Sequence, residues 1–217
     1  MAQSQLSMEK LVDYLQLPFM PQGILWDMDG TLVDSEAEWG RVTEEIVRSY
    51  GGQWTEKDAL AITGAGSQTH AYAMARRVHE AGAKEDPWKL FAKVLRGMET
   101  HMGSVTLIDG GAELIDFFDA HSIPQALVTA TPGEPVRLFL SGVGSRLKTA
   151  VTGDDPVPGK PDPAPYALGA ERIGVPIEFC VAFEDSIPGT TSARRAGAFV
   201  VDVHEYPLAG IVAACAI

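Results

Sequence analysis

Only two cysteines, Cys180 and Cys215, occur in 217 residues. They are too few and too far apart for a thiolate metal knuckle or a disulfide framework, and a reducing cytosol is the expected setting. Long apolar runs are missing too: the longest, Pro207 to Ile217, falls well short of a membrane span of about 20 residues. Residues Met1 to Met20 carry Glu9 and Asp13 among scattered apolar positions and hold no continuous signal-peptide core. Lys and Arg number 17 against 29 Asp and Glu, for a formal net charge of −12, and no long basic run gathers the cations. That balance argues against a nucleic-acid or anionic-membrane surface. There is no internal repeat and no low-complexity tract. What is left is a globular chain with 46% hydrophobic residues, ample for a packed core, expected to be a soluble, cytoplasmic monomer.

The stretch that organises the chain is Gly23-Ile24-Leu25-Trp26-Asp27-Met28-Asp29-Gly30-Thr31-Leu32-Val33-Asp34. A short apolar run bounded by turn formers reads as a buried parallel strand. Such a strand delivers Asp27 and Asp29 at its C-terminal end, where open α/β sheets bind their ligands. Two acids in a partly dry crevice repel and lose hydration unless a cation or protonated partner completes them, and a hard divalent ion fits best. A plain turn is the competing reading. A calcium loop would need further oxygen ligands and a distal Glu, and Val33 stands where it would still want polar ligands.

Before this strand, Leu6, Leu11, Val12, Tyr14 and Leu15 suggest a short accessory helix that ends before Pro18 and Pro21. After it, Trp39, Val42, Ile46, Val47 and Tyr50 recur at helical spacing up to Gly51-Gly52. Thr55 and Ser67 are candidate caps of two further helices, the first carrying Leu60 and Ile62 and the second Tyr72 and Met74. Asp86-Pro87 opens a fourth helix, expected to bury Trp88, Phe91, Val94, Leu95, Met98 and Met102. The ~70 residues from Asp34 to Thr106 thus read as helices only, too long for a loop, and predict a helical domain over 35–106 inserted into a core of 1–34 and 107–217, with 1–22 accessory. His70, Arg76 and Arg77 in this segment read as solvated helix charges and carry no assignment.

From Asp109 onward helices and short strands alternate, the pattern of a parallel α/β sheet. Strands are expected at 125–129, 149–152, 179–183 and 199–203. Helices are expected around Leu114 to Phe118, Val136 to Phe139, Pro163 to Ile173 and Thr190 to Ala196. Three of these connections carry chemistry. Leu127-Val128-Thr129-Ala130-Thr131 ends a strand in a hydroxyl, a weak signal because Thr favours strands anyway. Gly159-Lys160-Pro161-Asp162-Pro163 places a Lys in a backbone stiffened by prolines just before a helix, where a merely solvated Lys is the bland alternative. Phe183-Glu184-Asp185-Ser186 ends an apolar strand in adjacent acids, which packing explains poorly. Net negative charge does not exclude an anionic ligand, since a bound cation and a well-placed Lys reverse the local potential.

With these residues in view the chain resembles the haloacid dehalogenase superfamily over about Gly23 to Val203. It is most similar to the subgroup with β-phosphoglucomutase and small sugar-phosphate and phosphoglycolate phosphatases. The resemblance implies a Rossmann-like core with a helical cap. It also implies Asp27 as nucleophile, Asp29 as acid/base, Thr129 and Lys160 on the transferring phosphoryl group, and Gly30 and Ala130 as further phosphate-binding residues. Magnesium would be held by the Asp27 carboxylate, the Asp29 carbonyl, Asp185, and Glu184 through water. True dehalogenases and phosphonate-cleaving members lack the second Asp, so Asp29 points to phosphate esters. One departure weakens the mutase alternative: there an Arg follows the cap loop and grips a second phosphate, whereas here Gln68-Thr69-His70 follow Gly64-Ala65-Gly66-Ser67. The expected activity is a magnesium-dependent phosphatase for a small phosphorylated metabolite. The alternatives are a phosphosugar mutase and, from another class, a non-catalytic phospholigand- or partner-binding protein, which would have no need for Asp29.

Overall fold

Residues Gly23–Trp26 form strand β1, buried at every position, and the rest of the molecule is layered around it. In the computed structural model, which describes residues 6–64, 66–102, 105–143, 146–147 and 149–217, β1 sits at the centre of a five-stranded sheet. Its companions are β2 (Gln125–Val128), β3 (Thr149–Val151), β4 (Cys180–Glu184) and β5 (Phe199–Asp202). The order is β3-β2-β1-β4-β5 and every pairing is parallel. Leu25 lies between Ala126 and Ala182. Because the chain runs outward through β2 and β3 and then returns to β4 on the other side of β1, the topological switch lies at the C-terminal ends of β1 and β4.

Side chains alternate across the sheet, so β1 feeds two cores. Ile24 and Trp26 join one with Leu127, Val181, Phe183 and Phe118, while Leu25 joins the other with Ala126, Val128, Ala182 and Tyr166. Trp26 stacks on Phe183 with ring centroids 4.4 Å apart. Its indole N–H donates to Gln125 Oε1 at 2.9 Å, and Gln125 Nε2 donates to the Ile115 carbonyl at 3.0 Å. That chain of bonds lets a buried strand carry a Gln.

Among the described residues four helices follow β1 between Asp34 and Thr106: α2 (Glu36–Ser49), α3 (Glu56–Ile62), α4 (Ser67–Glu80) and α5 (Pro87–Met102). The apolar stripes of α2, α4 and α5 pack together through Val42, Val47, Met74, Val78, Leu90 and Met98. The two junctions of this segment meet where Val33 and Leu107 form an antiparallel bridge, with Ile108 N donating to the Leu32 carbonyl at 2.8 Å. Thr55 caps α3 through a reciprocal box with Asp58, as expected, and Asp86 accepts from the Trp88 and Lys89 amides at the start of α5. Ser67 differs: the N-cap of α4 is Gly66, without a side-chain bond. Trp88 differs as well, standing 49% exposed in the first turn of α5, edge-on to Phe91, while Leu95 is only half-buried. Of the cap loop, Ala65 lies outside the described residues, as do 1–5 of the accessory segment.

The core continues with α6 (Gly111–Ala120), α7 (Gly133–Val143), α8 (Ala164–Ile173) and α9 (Ile187–Ala196). Helix α9 begins three residues earlier than Thr190 because Ser186 Oγ accepts from the Gly189 amide at 3.1 Å and Pro188 suits the first turn. The apolar run from Pro207 is a further helix, α10 (Leu208–Cys215), packed against the accessory helix α1 (Met8–Tyr14). Lys10 Nζ donates to the Ala216 carbonyl at 2.6 Å and Ser7 N to the Cys215 carbonyl at 2.9 Å. Both cysteines are buried free thiols. No helix of the described residues is long and apolar enough to cross a membrane.

Arg76 and Arg77 are ion-paired rather than merely solvated. Asp58, 2% exposed, receives Arg76 Nη2 at 3.1 Å and Arg77 Nε at 2.9 Å, together with the Thr55 amide and hydroxyl at 3.0 and 2.6 Å. Burial pushes this carboxyl up, but the bonds from Thr55 and Arg77 outweigh it and leave its pKa at about 2. A folded-state value below the unfolded one of about 3.9 gives stability that is complete above pH 4 and is lost as the pH falls toward 2. Asp58→Asn is expected to lower unfolding free energy by about 1–3 kcal/mol at pH 7. Urea titrations at pH 7 and pH 2.5 check this, with the gap between variant and parent narrowing at the lower pH; a constant gap would refute the assignment.

Candidate active site

The C-terminal ends of β1 and β4 deliver Asp27 and Glu184-Asp185 to one point. Asp27 N donates to the Phe183 carbonyl at 3.0 Å, which locks the two strand ends in register. Lys160, from the loop before α8, reaches in between: its Nζ lies 2.6 Å from Asp27 Oδ1 and also bonds Glu184 Oε1. All three side chains are buried. Glu184 has both oxygens occupied, Oε1 by Lys160 and the Tyr166 hydroxyl at 2.8 Å, Oε2 by the Asp185 and Ser186 amides at 3.1 and 3.0 Å and the Ser186 hydroxyl at 3.0 Å. The backbone has been cleared for this cluster. A Cβ at Gly189 would collide with the Glu184 carboxylate, and one at Gly30, which adopts φ +85°, would collide with that of Asp185.

Oxygens of Asp27, Glu184 and Asp185 can all lie within 4.8 Å of one another. Burial raises the Asp27 carboxyl well above its ordinary range against the opposing Lys160, with Glu184 and Asp185 adding to the rise. Burial, Glu184 and Glu36 push Asp185 up to about 6. Lys160 is raised, because Asp27 and Glu184 outweigh the burial that opposes its charge. Three carboxylates around one ammonium leave an excess of negative charge in a dry place, and the donors are hard oxygens. That donor set suits a magnesium ion, which would reverse these carboxylate shifts.

Asp29 stands apart from this cluster. Its Oδ1 accepts from the Ser35 hydroxyl at 2.6 Å and the Trp39 indole N–H at 2.8 Å, and its Oδ2 from the Thr131 hydroxyl at 2.7 Å and the Thr129 hydroxyl at 3.4 Å. Thr129, one residue beyond β2, also accepts from the Thr131 amide at 3.0 Å. The Gly30 amide donates to the Val33 carbonyl at 2.8 Å, so it closes the loop. A cleft of about 120 Å³ is lined by Asp27, Asp29, Thr129, Ala130, Lys160 and Asp185 on the sheet side. Residues of α2 to α5 line its other side, among them Trp39, Ile62, His70 and Phe91.

Sequence reasoning did not assign Ser35, Trp39, Thr131, Tyr166 or His70. Trp39 registers in the sequence only as one member of a helical stripe, and Thr131 only as the tail of the Thr129 motif. His70 is the clear correction: it is 6% exposed, not solvated, with Nε2 2.9 Å from Thr43 Oγ1 and its ring edge-on to Phe91 at 5.3 Å. Burial pushes its pKa down to about 4, so it is neutral at pH 7.

The family model of haloacid dehalogenase-like hydrolases matches residues 21–197. The chain belongs to this family and is a hydrolase. It is 30% identical to validoxylamine A 7'-phosphate phosphatase of Streptomyces hygroscopicus subsp. limoneus over 82% of this chain and 83% of that protein. It is 31% identical to the phosphorylated carbohydrates phosphatase of Thermotoga maritima over 81% and 82%. Among solved structures, a mutant CbbY from Rhodobacter sphaeroides in complex with xylulose-(1,5)bisphosphate superposes with a TM-score of 0.74 at 25% identity, covering 83% of this chain and 85% of that one.

Proposed function

We propose that the protein is a magnesium-dependent phosphatase that hydrolyses a small phosphate monoester through an aspartyl-phosphate on Asp27. The observation that carries this reading is the meeting of Asp27, Lys160 and Asp185 at the strand ends with a separately held Asp29 lining the same cleft. The phosphatase relatives support it. An Asp27 carboxylate oxygen attacks phosphorus while the ester oxygen leaves, taking a proton from Asp29. Water then attacks the phosphoryl group and gives a proton to Asp29, which releases inorganic phosphate and regenerates Asp27. Lys160 sets positive charge beside the nucleophile and the incoming phosphoryl oxygens. Thr129 and Ala130, at the end of β2, hold those oxygens from the other side. Asp27, Asp185 and the Asp29 backbone carbonyl, with Glu184 through water, are the residues that would hold magnesium, which supplies charge neutralisation for the phosphoryl dianion when bound.

Helices α2 to α5, within 35–106, act in this reading as a cap over a core of 1–34 and 107–217, excluding water during the first transfer. The position after the cap loop where a phosphosugar mutase places an Arg is filled by Gln68-Thr69-His70, which favours hydrolysis over mutase chemistry. The test is phosphate release from a panel of phosphorylated metabolites by purified protein, before and after chelation. Chelator is expected to abolish release and added Mg²⁺ to restore it; turnover that survives chelation would remove the metal from the mechanism.

A further inference from the structure

The charges around the cleft are unevenly distributed. Among the described residues Lys160 is the cation lining it, and Asp27 and Glu184 already hold its ammonium. On the side formed by the helical insertion, Ala59, Ile62, Thr63, His70 and Phe91 supply apolar, hydroxyl and neutral imidazole surface. His70 carries no charge at pH 7 because its ring is buried between Thr43 and aromatic neighbours. Three arginines of the insertion are ion-paired to its own acids: Arg76 and Arg77 to Asp58, and Arg41 to Glu38 and Glu45. Among the described residues the insertion's one acidic contribution to the cleft is Glu36, on the exposed first turn of α2.

A phosphoryl group is accommodated at the strand ends by Lys160 and the cation that the carboxylates call for. A second anionic group, carried on the leaving alcohol, would face apolar surface, the Thr63 and Ser67 hydroxyls and Glu36, with no cationic side chain of the insertion lining the cleft among the described residues. A buried or half-buried anion without a partner is disfavoured, and a like charge close by adds to that. We propose that the substrate is a phosphate monoester whose leaving alcohol bears no negative charge, so that bisphosphates and phosphorylated carboxylic acids are rejected. The proposal rests on the phosphatase reading above and narrows it to neutral or cationic alcohols. Trp39 and Phe91 line the cleft, which suits an alcohol with an apolar face.

The experiment compares phenyl phosphate, 4-carboxyphenyl phosphate and 4-(aminomethyl)phenyl phosphate, which differ in remote charge around one leaving-group framework, with Mg²⁺ present. The neutral and cationic esters are expected to have kcat/KM within a few-fold of each other, and the carboxylate to be about 10-fold or more lower at low ionic strength, with the gap narrowing in salt. Thr63→Arg, at an exposed position on the cleft wall, should raise the carboxylate-to-neutral ratio, and Glu36→Gln should raise it by a smaller factor. Glucose 6-phosphate against 6-phosphogluconate repeats the comparison on a metabolite framework. Equal or preferred use of the carboxylated esters by the parent overturns the proposal while leaving the phosphatase reading intact. An unchanged ratio in both variants overturns the assignment to this wall. No release from any ester with Mg²⁺ present overturns the phosphatase reading and this proposal with it.

Discussion

Asp27→Asn is expected to reduce phosphate release by more than about 10⁴-fold, because the carboxamide keeps the shape of the side chain and is not a nucleophile. The protein should remain folded, and the reason lies in the surrounding charges. Lys160 loses one partner at 2.6 Å yet stays paired with Glu184, which is fully buried and hydrogen-bonded at both oxygens. The ionised Asp27 is itself unfavourable in the metal-free fold, since burial, Glu184 and Asp185 all raise its carboxyl against the opposing Lys160. A carboxyl raised in the folded state destabilises the protein once the pH exceeds its unfolded value. The neutral carboxamide removes that penalty, so thermal unfolding in chelator should occur at the parent temperature or above it, a trade of stability for function at a reactive site. Acid-quenched reactions with labelled substrate should trap label on the parent and none on the variant. Turnover near the parent rate, or label retained on the variant, would refute Asp27 as nucleophile.

How far the sequence foretold this molecule depended on whether a feature was local. The strands were legible because each is a short apolar run ended by a turn, and β1 and β4 are buried on both faces, which periodicity and composition both report. The observed five-stranded parallel sheet has each expected strand, with ends shifted by about one residue at 125–129, 149–152, 179–183 and 199–203. The strand-end acids were legible for the same reason, since ionised side chains directly after a buried strand need an explanation. Contacts set by the docking of one helix on another were not legible. Burial of His70 depends on Thr43 from α2 and Phe91 from α5 closing over it. The pairing of Arg76 and Arg77 with Asp58 joins α4 to α3 across 18 and 19 residues, and nothing in the α4 sequence distinguishes it from an ordinary charged helix face. The same holds for Lys10 and the Ala216 carbonyl, 206 residues apart. Trp39 illustrates the limit: its ring belongs to the helical stripe, but its N–H reaches Asp29, and only the entry angle of α2 after Ser35 brings the two within 2.8 Å.

That contact bears on the second large effect, the separation of the two aspartates of the first motif by role. Asp29→Asn should leave the fold and the binding of metal and phosphate largely in place. Ser35 and Trp39 can still donate to the remaining carbonyl oxygen, and the hydroxyls of Thr131 and Thr129 can rotate to accept from the new amide. The acid/base function is lost, and a fall of about 10²- to 10⁴-fold is expected for an alkyl phosphate such as a sugar phosphate, whose leaving oxygen needs a proton. The loss should shrink for nitrophenyl phosphate, because nitrophenolate departs without protonation. Formation of the aspartyl-phosphate would then be little affected, while its hydrolysis, which still needs a base for water, would lag and let the intermediate accumulate. Burst and steady-state rates for both substrates in parent and variant therefore read the two half-reactions separately. The expected pattern is a near-parent burst followed by a slow steady state with nitrophenyl phosphate, and slowing of both phases with the sugar phosphate. Equal slowing of the burst with both substrates would show that the four donors around Asp29 hold a structural carboxylate, and that proton transfer to the leaving oxygen comes from another group.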